Sequence, residues 1–347
     1  MVGIDIGSHE VKAILLSKKE QDYHIVRHAA IPLVKGAVVD REIKDLKTLV
    51  DVLSLIKRTL PKNIKFAAVA ISGSAVINKV IEMDASLTEA EMEAQIELEA
   101  ESLIPYPLNE ISIDFELLEN EELEDGNVDV LLSACRTDTI DSRVDALDDV
   151  NLEVKVVDIE GYALGRTFEF IKHQLPDDGH GHVTAMIDIG ANMLTLAMIE
   201  SGETVFVRSQ DTGGEAYTQG IMSTYNLTFD KAEKSKVLGE LPESYQEDVL
   251  FPFQTQLLQK IRHILQLYYT VSERERIDNI VLCGGCANID GLADRIKNDL
   301  NIETLIADPL IGHLVASPPI KKQLQSHMPK YMLAFGLALR SYGKWPI

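Results

Sequence analysis

The sequence is poor in cysteine, in positive charge and in long apolar runs, and each shortage excludes a class of protein. Only three cysteines occur in 347 residues, which excludes a disulfide framework and favours a reducing compartment. No window approaches the roughly 20 apolar residues of a membrane-spanning helix, and the N-terminus has the pattern of a strand rather than of a signal peptide. We therefore expect a cytoplasmic protein without direct membrane insertion.

Basic residues are outnumbered by acidic ones, 33 to 55, which leaves a formal net charge of −22. Such a charge argues against nucleic-acid binding and against electrostatic docking on an anionic membrane. The remaining composition is ordinary, since 46% of the residues are hydrophobic and 25% are charged. A chain of this length and composition forms two or so hydrophobic cores.

One short phrase occurs twice. Gly3–Ser8 reads Gly-Ile-Asp-Ile-Gly-Ser, Met186–Ala191 reads Met-Ile-Asp-Ile-Gly-Ala, and a second apolar run follows each of them. The pattern predicts a tight β-hairpin, in which Gly7 or Gly190 permits the turn and the close approach of a ligand. The backbone N–H groups of such a turn point towards one place, where a phosphate binds well.

An aspartate precedes each turn, Asp5 in the first phrase and Asp188 in the second. Mg²⁺ in proteins prefers one or two carboxylates together with phosphate oxygens. One such hairpin alone is interpreted as an ordinary buried strand pair. Two that face each other across a cleft would clamp a nucleoside triphosphate, and the recurrence favours this second interpretation.

The rest of the chain predicts a two-lobed α/β protein with a small insert. Apolar residues at helical spacing predict a helix between Ile43 and Leu60, and Phe66–Ile71 has the character of a buried strand. A more acidic stretch follows, which is interpreted as a compact α+β unit inserted between strands of the first lobe. The predicted limits are 1–80 for the first lobe, 81–153 for the insert, 154–176 for a connecting segment of the first lobe, 177–325 for the second lobe, and 326–347 for a return to the first lobe.

Inside the insert, Thr88 and Glu91 form a capping-box pattern, which predicts the start of a helix. Alternating apolar residues then predict two strands, from Ile111 to Leu117 and from Val128 to Leu132. The acidic run between them, 119–125, is predicted to be a solvated hairpin loop.

A second kind of segment also occurs twice in the chain. Gly161–Arg166 and Phe335–Arg340 both combine small residues with a final arginine, and small residues at this spacing let two helices cross closely. We expect a hinge at that crossing. Ile280–Leu282 is a predicted strand that ends at Gly284–Gly285, and Asp290 is predicted to cap the next helix.

Two short patterns invite a metal or redox interpretation. Zinc needs four ligands, and besides Cys283 and Cys286 only Cys135 remains in the chain. A redox pair belongs at a helix N-terminus, so the cysteines are interpreted as small residues beside the glycine pair. His180 and His182 lie on a glycine loop without a third ligand nearby, and we expect them to be solvent-exposed.

Five segments therefore follow one another: hairpin, Gly/Ala helix, hairpin, strand ending in Gly-Gly, and Gly/Ala helix. The order of these five segments resembles that of the actin-like ATPase superfamily. The spacing of Asp5, Gly7, Ser8 and Lys12 matches that of the first phosphate segment of actin. Ala232–Lys236 is similar to the superfamily's Ala-Glu-x-x-Lys helix. The resemblance implies ATP and Mg²⁺ as cofactors, with the metal held by Asp5 and Asp188, and with nucleotide-binding residues Gly7, Ser8, His9, Lys12, Gly190, Ala191, Asn192, Gly213, Gly214, Glu233, Lys236, Gly284, Gly285 and Ala287.

The position of the insert differs between families of the actin-like superfamily. An α+β unit at this place resembles FtsA and, more closely, the PilM family of cytoplasmic type IV pilus assembly proteins. The phrase Leu103–Leu108, Leu-Ile-Pro-Tyr-Pro-Leu, and the phrase Asp188–Asn192, Asp-Ile-Gly-Ala-Asn, are similar to phrases of that family. The resemblance covers essentially the whole chain.

Membership in that family would imply a partner. The family grips the N-terminal cytoplasmic peptide of the inner-membrane protein PilN, and this would recruit the chain to the inner membrane. The implied contacts are Leu103, Ile104, Pro105 and Tyr106. Two prolines around an aromatic residue fix an extended segment at low entropic cost. The alternative is that this phrase only turns the helix into the next strand.

Two departures from the superfamily pattern bear on hydrolysis. Actin-like hydrolases polarise the attacking water with Glu or Gln in the first connecting segment, where this chain offers Asp158, a shorter acid, and Glu160. Met193 and Leu194 replace hydroxyl residues that are frequent in the second phosphate segment. We therefore expect ATP binding with, at most, slow turnover.

Two other functions stay open on the sequence. A sugar- or acetate-type kinase on this fold would need a catalytic aspartate for the acceptor hydroxyl, and no segment between Ser72 and Leu164 offers a convincing one. A filament-forming actin-like ATPase, or another kind of self-association, leaves no short motif.

Overall fold

The computed structural model of the chain describes residues 1–40, 42–118, 126–272, 276–312 and 314–343. The predicted acidic loop 119–125 lies outside these residues. The strands are β1 (Val2–Ile6), β2 (Glu10–Lys19), β3 (Asp22–Pro32), β4 (Val38–Val39), β5 (Glu42–Ile43), β6 (Phe66–Ile71), β7 (Val76–Asp84), β8 (Ile111–Leu117), β9 (Asn127–Arg136), β10 (Glu153–Ile159), β11 (Val183–Ile189), β12 (Met193–Glu200), β13 (Glu203–Asp211), β14 (Asn279–Cys283), β15 (Glu303–Ile306) and β16 (Leu314–Ala316). The helices are α1 (Leu46–Thr59), α2 (Glu89–Leu103), α3 (Thr137–Asp148), α4 (Glu160–Gly165), α5 (Gly214–Tyr225), α6 (Phe229–Leu238), α7 (Phe251–Ser272), α8 (Leu292–Leu300), α9 (Pro318–Leu324) and α10 (Met332–Leu339).

Two large sheets share one topology. The first has the order β10-β6-β1-β2-β3-β16, and the second has the order β13-β12-β11-β14-β15. In each, a meander of three antiparallel strands is extended by two parallel strands on the far side of its first strand. The fold therefore contains the same five-stranded unit twice, with β16 added to the edge of the first copy. The repeated sequence phrase marks the first turn of each unit.

Side chains cap the starts of α1 and α2, whereas a glycine takes the cap position of α8. At α2 the predicted capping box is confirmed, because Thr88 accepts from the N–H of Glu91 while the Glu91 carboxylate accepts from the N–H of Thr88. At α1 the Asp45 carboxylate accepts from the N–H of Thr48 at 3.0 Å. The predicted cap at Asp290 is wrong: Gly291, with φ of 66°, takes the cap position of α8.

The lobes meet at two short helices, α4 and α10, as the paired Gly/Ala segments predicted. Gly336 in α10 lies so close to α4 that an added Cβ would be 1.8 Å from the carbonyl oxygen of Ala163. On the other side of α10, a Cβ at Gly3 of β1 would be 2.1 Å from the carbonyl oxygen of Ala334. No side chain fits in either space, so these glycines set how closely the helices approach each other and the first sheet.

The insert is smaller than predicted. Its three-stranded sheet has the order β7-β9-β8 and is covered by α2, so it covers 76–136 rather than 81–153. Its own core consists of Met83, Met92, Ile96, Val130 and Leu132. Helix α3 belongs to the first lobe, because its Ala146 and Leu147 join the core of that lobe beside α1.

The return to the first lobe also begins earlier than the predicted boundary at 326. Strand β16 already pairs in parallel with β3, at the edge of the first sheet, through Leu314 and Tyr23. Among the described residues, no helix is both long and apolar enough to cross a bilayer.

Candidate nucleotide site between the lobes

The two predicted hairpins turn in the same way. In the first, Ile6 pairs with Val11, and a Cβ added at Gly7 would be 3.0 Å from the carbonyl oxygen of Glu10. In the second, a Cβ added at Gly190 would be 3.1 Å from the carbonyl oxygen of Met193, which also accepts the N–H of Gly190 at 2.8 Å. A side chain at either turn would be crowded against a backbone carbonyl oxygen, which explains the preference for glycine at both.

A buried ion pair occupies the first hairpin. Asp5 and Lys12 are register partners on β1 and β2, and Lys12 Nζ donates to Asp5 Oδ2 at 2.6 Å. Burial alone would lower the pKa of Lys12, but the charges of Asp5 and Glu10 outweigh burial and raise it. The lysine is therefore a permanent cation beside the first turn.

The second hairpin carries its aspartate towards the same place. Burial raises the pKa of Asp188 to about 7, and the charges of Asp5 and Glu160 act in the same direction, whereas Lys12 opposes them. The two sequence-predicted metal ligands thus lie within electrostatic range of each other and share one cation. Lys12 thus lies within electrostatic range of both aspartates.

This donor set fits a magnesium ion that arrives with phosphate. The described residues contain no group of three or more His, Cys, Asp or Glu side chains arranged to hold a metal ion. Mg²⁺ takes only one or two carboxylates when phosphate oxygens supply the other ligands. Asp5 and Asp188 provide that number, and an added dication would relieve their mutual repulsion.

Glycines of the second lobe pack around the second hairpin. A Cβ added at Gly213 would be 2.4 Å from the Ala191 carbonyl oxygen. One added at Gly214 would be 2.4 Å from Cys286 Sγ, and one added at Gly284 would be 2.5 Å from the Ile189 carbonyl oxygen. The structure thus brings together sequence-predicted residues from three separate segments. Gly285 differs, because an added Cβ there would meet no described atom within 4 Å, so this stretch of backbone is bare.

Helix α6 faces the first hairpin with a small polar network. Lys236 Nζ donates to Glu233 Oε2 at 2.6 Å and to Thr218 Oγ1 at 2.8 Å, and Thr218 donates to the same carboxylate at 2.6 Å. His9 Nε2 of the first turn lies 3.9 Å from Glu233 Oε1. The predicted pair Glu233 and Lys236 therefore lies at the junction of the lobes. Sequence reasoning missed Thr218.

Asp158 is held by two arginines. Its Oδ2 accepts from Arg166 Nη1 at 2.9 Å and from Arg340 Nε at 2.8 Å, and its Oδ1 accepts from the N–H of Ile159. The residue is only 4% exposed. This geometry argues against the predicted role of Asp158 in polarising water and makes it the common anchor of α4 and α10.

The sequence pattern contains both arginines but does not indicate that they bind Asp158. Arg166 follows α4 and Arg340 follows α10, so each closes one copy of the repeated Gly/Ala segment. Glu160, the other candidate acid, begins α4, and its charge acts on Asp188 and on Arg143. Its predicted role stays a prediction.

The cysteines beside the glycine pair are packing residues. Cys283 is buried and is the register partner of Asp188, and Cys286 Sγ lies 3.4 Å from the Gly190 carbonyl oxygen. Burial raises the pKa of both thiols, that of Cys286 to about 11. They stay protonated at neutral pH, which makes them poor nucleophiles and poor metal ligands.

The phrase at the end of α2 is only partly accessible. Ile104 is buried in the insert, and Leu103 is half-buried and packs against both of its small cores. Pro105 and Tyr106 are exposed, and Tyr106 is 45% exposed. Of the four residues predicted to touch a partner peptide, Pro105 and Tyr106 therefore offer free surface, and Tyr106 is the larger of the two.

Comparison with solved structures gives the class of the fold. The chain is similar to a structure described as "PilM-PilN type IV pilus biogenesis complex", with a TM-score of 0.83 and 24% identity over 99% of this chain and 98% of that one. It is also similar to the ethanolamine utilization protein EutJ from Carboxydothermus hydrogenoformans, with a TM-score of 0.56 and 15% identity over 97% and 88% of the two chains. The fold is that of the actin-like ATPases, which confirms the predicted fold class.

The family follows from the sequence itself. The profile of the family described as type IV pilus assembly protein PilM matches residues 3–342. The chain therefore belongs to the PilM family of type IV pilus assembly proteins.

Proposed function

We propose that this chain binds ATP with Mg²⁺ between its lobes and acts in the cytoplasm as a scaffold for pilus assembly. The observation that carries the nucleotide proposal is the duplicated hairpin, with Asp5, Lys12 and Asp188 within electrostatic range of one another. An ATPase fold alone would not carry it, since one fold serves many functions.

Each polar group of this site has a proposed role in binding the nucleotide or its metal ion. Asp5 and Asp188 hold the metal ion, which neutralises phosphate charge when it is bound. Lys12 and the turn at Ser8 bind the β-phosphate, and the turn at Ala191 approaches the γ-phosphate. The ribose and base lie against Glu233, Lys236 and the bare backbone of Gly285. These are the roles that the residue types and their placement support.

A thermal-unfolding titration tests nucleotide binding. ATP with Mg²⁺ should stabilise the wild-type protein by about 2.7 kcal/mol at a hundredfold excess over Kd, because the ligand binds only the folded state. Lys12→Ala and Asp188→Ala should each abolish most of that shift. Lys19→Ala is the matched control, since Lys19 is an exposed lysine of the same strand, β2. If both site variants keep the full shift, the site is misplaced.

We propose further that the insert binds the N-terminal cytoplasmic peptide of a PilN-like inner-membrane protein, and that this contact recruits the chain to the membrane. The similar solved structure is described as a complex with PilN. The exposed Pro105 and Tyr106 offer a rigid extended segment with an aromatic wall, which suits an extended peptide with aliphatic anchors.

Fluorescence anisotropy with a labelled partner peptide tests this contact. Tyr106→Ala should weaken binding at least about tenfold, as loss of an aromatic anchor does. Leu98→Ala is the matched control, because Leu98 is 75% exposed on the same insert. Leu103 is less suitable for the test, since it packs in the insert. Peptide binding that is equal in wild type and Tyr106→Ala would place the groove elsewhere.

A further inference from the structure

The side chain of Lys35, in the first lobe, contacts the second lobe. Its Nζ lies 2.5 Å from Glu215 Oε1 and 4.3 Å from the centre of the Phe229 ring. Lys35 belongs to the segment after β3, where the neighbouring Leu33 and Ala37 are buried in the core of the first lobe. Glu215 and Phe229 lie at the starts of α5 and α6 in the second lobe. The contact is therefore made across the cleft and does not involve the hinge helices.

Each end of this contact is tied to a phosphate hairpin by the backbone. The N–H of Leu33 donates to the His9 carbonyl oxygen in the first turn at 2.8 Å. The N–H of Glu215 donates to the Ala191 carbonyl oxygen in the second turn at 2.8 Å. In both five-stranded units, the segment after the third strand thus folds back on the turn between the first two. Lys35 and Glu215 come from equivalent segments of the repeat.

The Glu215 carboxylate also accepts a hydrogen bond from Gln219 Nε2 at 3.4 Å, and the side chain of Asn192 lies close enough to help lower its pKa. Burial would raise the pKa of Glu215, but the hydrogen bond and charge of Lys35 outweigh it and the pKa is lowered. The carboxylate is thus ionised at neutral pH and faces a cation of the first lobe, while the backbone N–H of the same residue is bonded to the second turn. Asn192, which follows Ala191 in that turn, is exposed.

We infer that Lys35 is a positioning residue for the second phosphate hairpin, because across the cleft it holds Glu215, whose N–H is bonded to the Ala191 carbonyl oxygen of that turn. The inference rests on the proposed nucleotide site. An ATP whose terminal phosphate lies at Ala191 and Asn192 would meet an ordered turn, whereas ADP has no phosphate at that place. Lys35, which lies in the opposite lobe, therefore sets the preference of the site for ATP over ADP.

The preference is measured by calorimetric titration of ATP and ADP, each with Mg²⁺. Lys35→Ala should lower the ratio of ATP to ADP affinity at least about fivefold, the lower end of ordinary coupling between sites, and should leave ADP affinity nearly unchanged. Lys35→Arg keeps the cation and should retain the ratio. Lys44→Ala is the matched control, since Lys44 pairs with Glu42 within the first lobe.

A second measurement needs no nucleotide. Hydrogen–deuterium exchange of the peptide that covers 190–193 should be at least about fivefold faster in Lys35→Ala than in wild type or Lys44→Ala, because the turn loses a restraint. Unchanged exchange in that peptide, or an unchanged ATP to ADP ratio, overturns the inference. If the wild type binds neither nucleotide, the proposed function fails, and the exchange experiment alone decides whether Lys35 positions the hairpin.

Discussion

Lys12 Nζ and Asp5 Oδ2 lie 2.6 Å apart on paired strands, so the predicted phosphate-binding cation and a predicted metal-binding carboxylate neutralise each other. Both side chains are largely buried, at 14% and 9% exposure. Removal of only one partner of such a pair destabilises the folded protein, because the other partner is left as a buried unpaired charge.

The first prediction follows from that cost. Lys12→Ala should lower the free energy of unfolding by about 3 kcal/mol in the nucleotide-free protein. The double variant Lys12→Ala, Asp5→Asn should recover most of the loss, because the carboxylate that the single variant leaves unpaired is then uncharged. Urea unfolding of the three proteins measures both effects. Equal losses in the single and double variants would show that the charge of Asp5 is not what destabilises the protein.

The second prediction concerns pH. The pKa of Asp188 is raised to about 7 in the folded state, from an ordinary value of 3.8. The folded state therefore binds more protons than the unfolded state between these values, and the contribution of Asp188 to stability falls as pH rises through this window. Asp188→Asn carries no such charge. In the nucleotide-free protein it should melt roughly 2–4 °C above wild type at pH 8.

The difference in melting temperature between Asp188→Asn and wild type should shrink as the pH falls towards 5. Asp211→Asn is a suitable control, because Asp211 is an exposed aspartate at the end of β13 in the same lobe. Scanning fluorimetry across the pH range measures all three proteins. A difference that stays constant from pH 5 to 8 would contradict the raised pKa.

Local pattern explains why the hairpins and the fold class could be predicted. Apolar alternation, the glycine turn and its repetition are properties of short segments, and both turns have the same geometry at Gly7 and Gly190. The assignment of α3 failed for a related reason. Its apolar stripe identified a buried face but not the surface that covers it, which is the first-lobe core beside α1 rather than the insert.

Contacts between distant segments could not be predicted in this way. Lys35 and Glu215 carry no motif, and their ion pair exists only because the two lobes face each other. Asp158 occupies the position in the connecting segment where a catalytic acid is expected. In the folded protein, however, Arg166 and Arg340 both donate hydrogen bonds to its carboxylate. Its chemistry is decided by those partners and not by its place in the chain.

The third prediction separates Asp158 from Glu160. Asp158→Asn should lower the free energy of unfolding by about 3 kcal/mol, because two arginines lose a buried anion. Its turnover of ATP per folded molecule should stay near that of wild type. Glu160→Gln should instead lower the turnover per folded molecule at least about a hundredfold, as loss of an acid–base group does.

Steady-state phosphate release, with the folded fraction measured in parallel, tests both variants. Wild-type turnover should lie well below the roughly 10 s⁻¹ of a median enzyme. A rate at or above that value would favour the kinase alternative over the scaffold. A large loss of turnover in fully folded Asp158→Asn would return that residue to the catalytic role.

The last prediction uses the glycine pair that follows β14. An alanine at Gly285 meets open space and needs no left-handed backbone, so Gly285→Ala should leave stability unchanged or raise it slightly. Gly284→Ala is the contrasting variant, because Gly284 has φ of 87° and its Cβ would be 2.5 Å from the Ile189 carbonyl oxygen. That substitution should destabilise the protein markedly.

If the nucleoside lies against the bare backbone at Gly285, Gly285→Ala should weaken ATP binding at least about tenfold, since a methyl group then fills the space of the ligand. The same variant should bind the partner peptide as wild type does, because the insert lies in the other lobe. Calorimetric titration with ATP and Mg²⁺ measures the effect on a protein of unchanged melting temperature. Wild-type ATP affinity in Gly285→Ala would mean that the nucleoside does not lie against this backbone, even if the phosphates bind at the two hairpins.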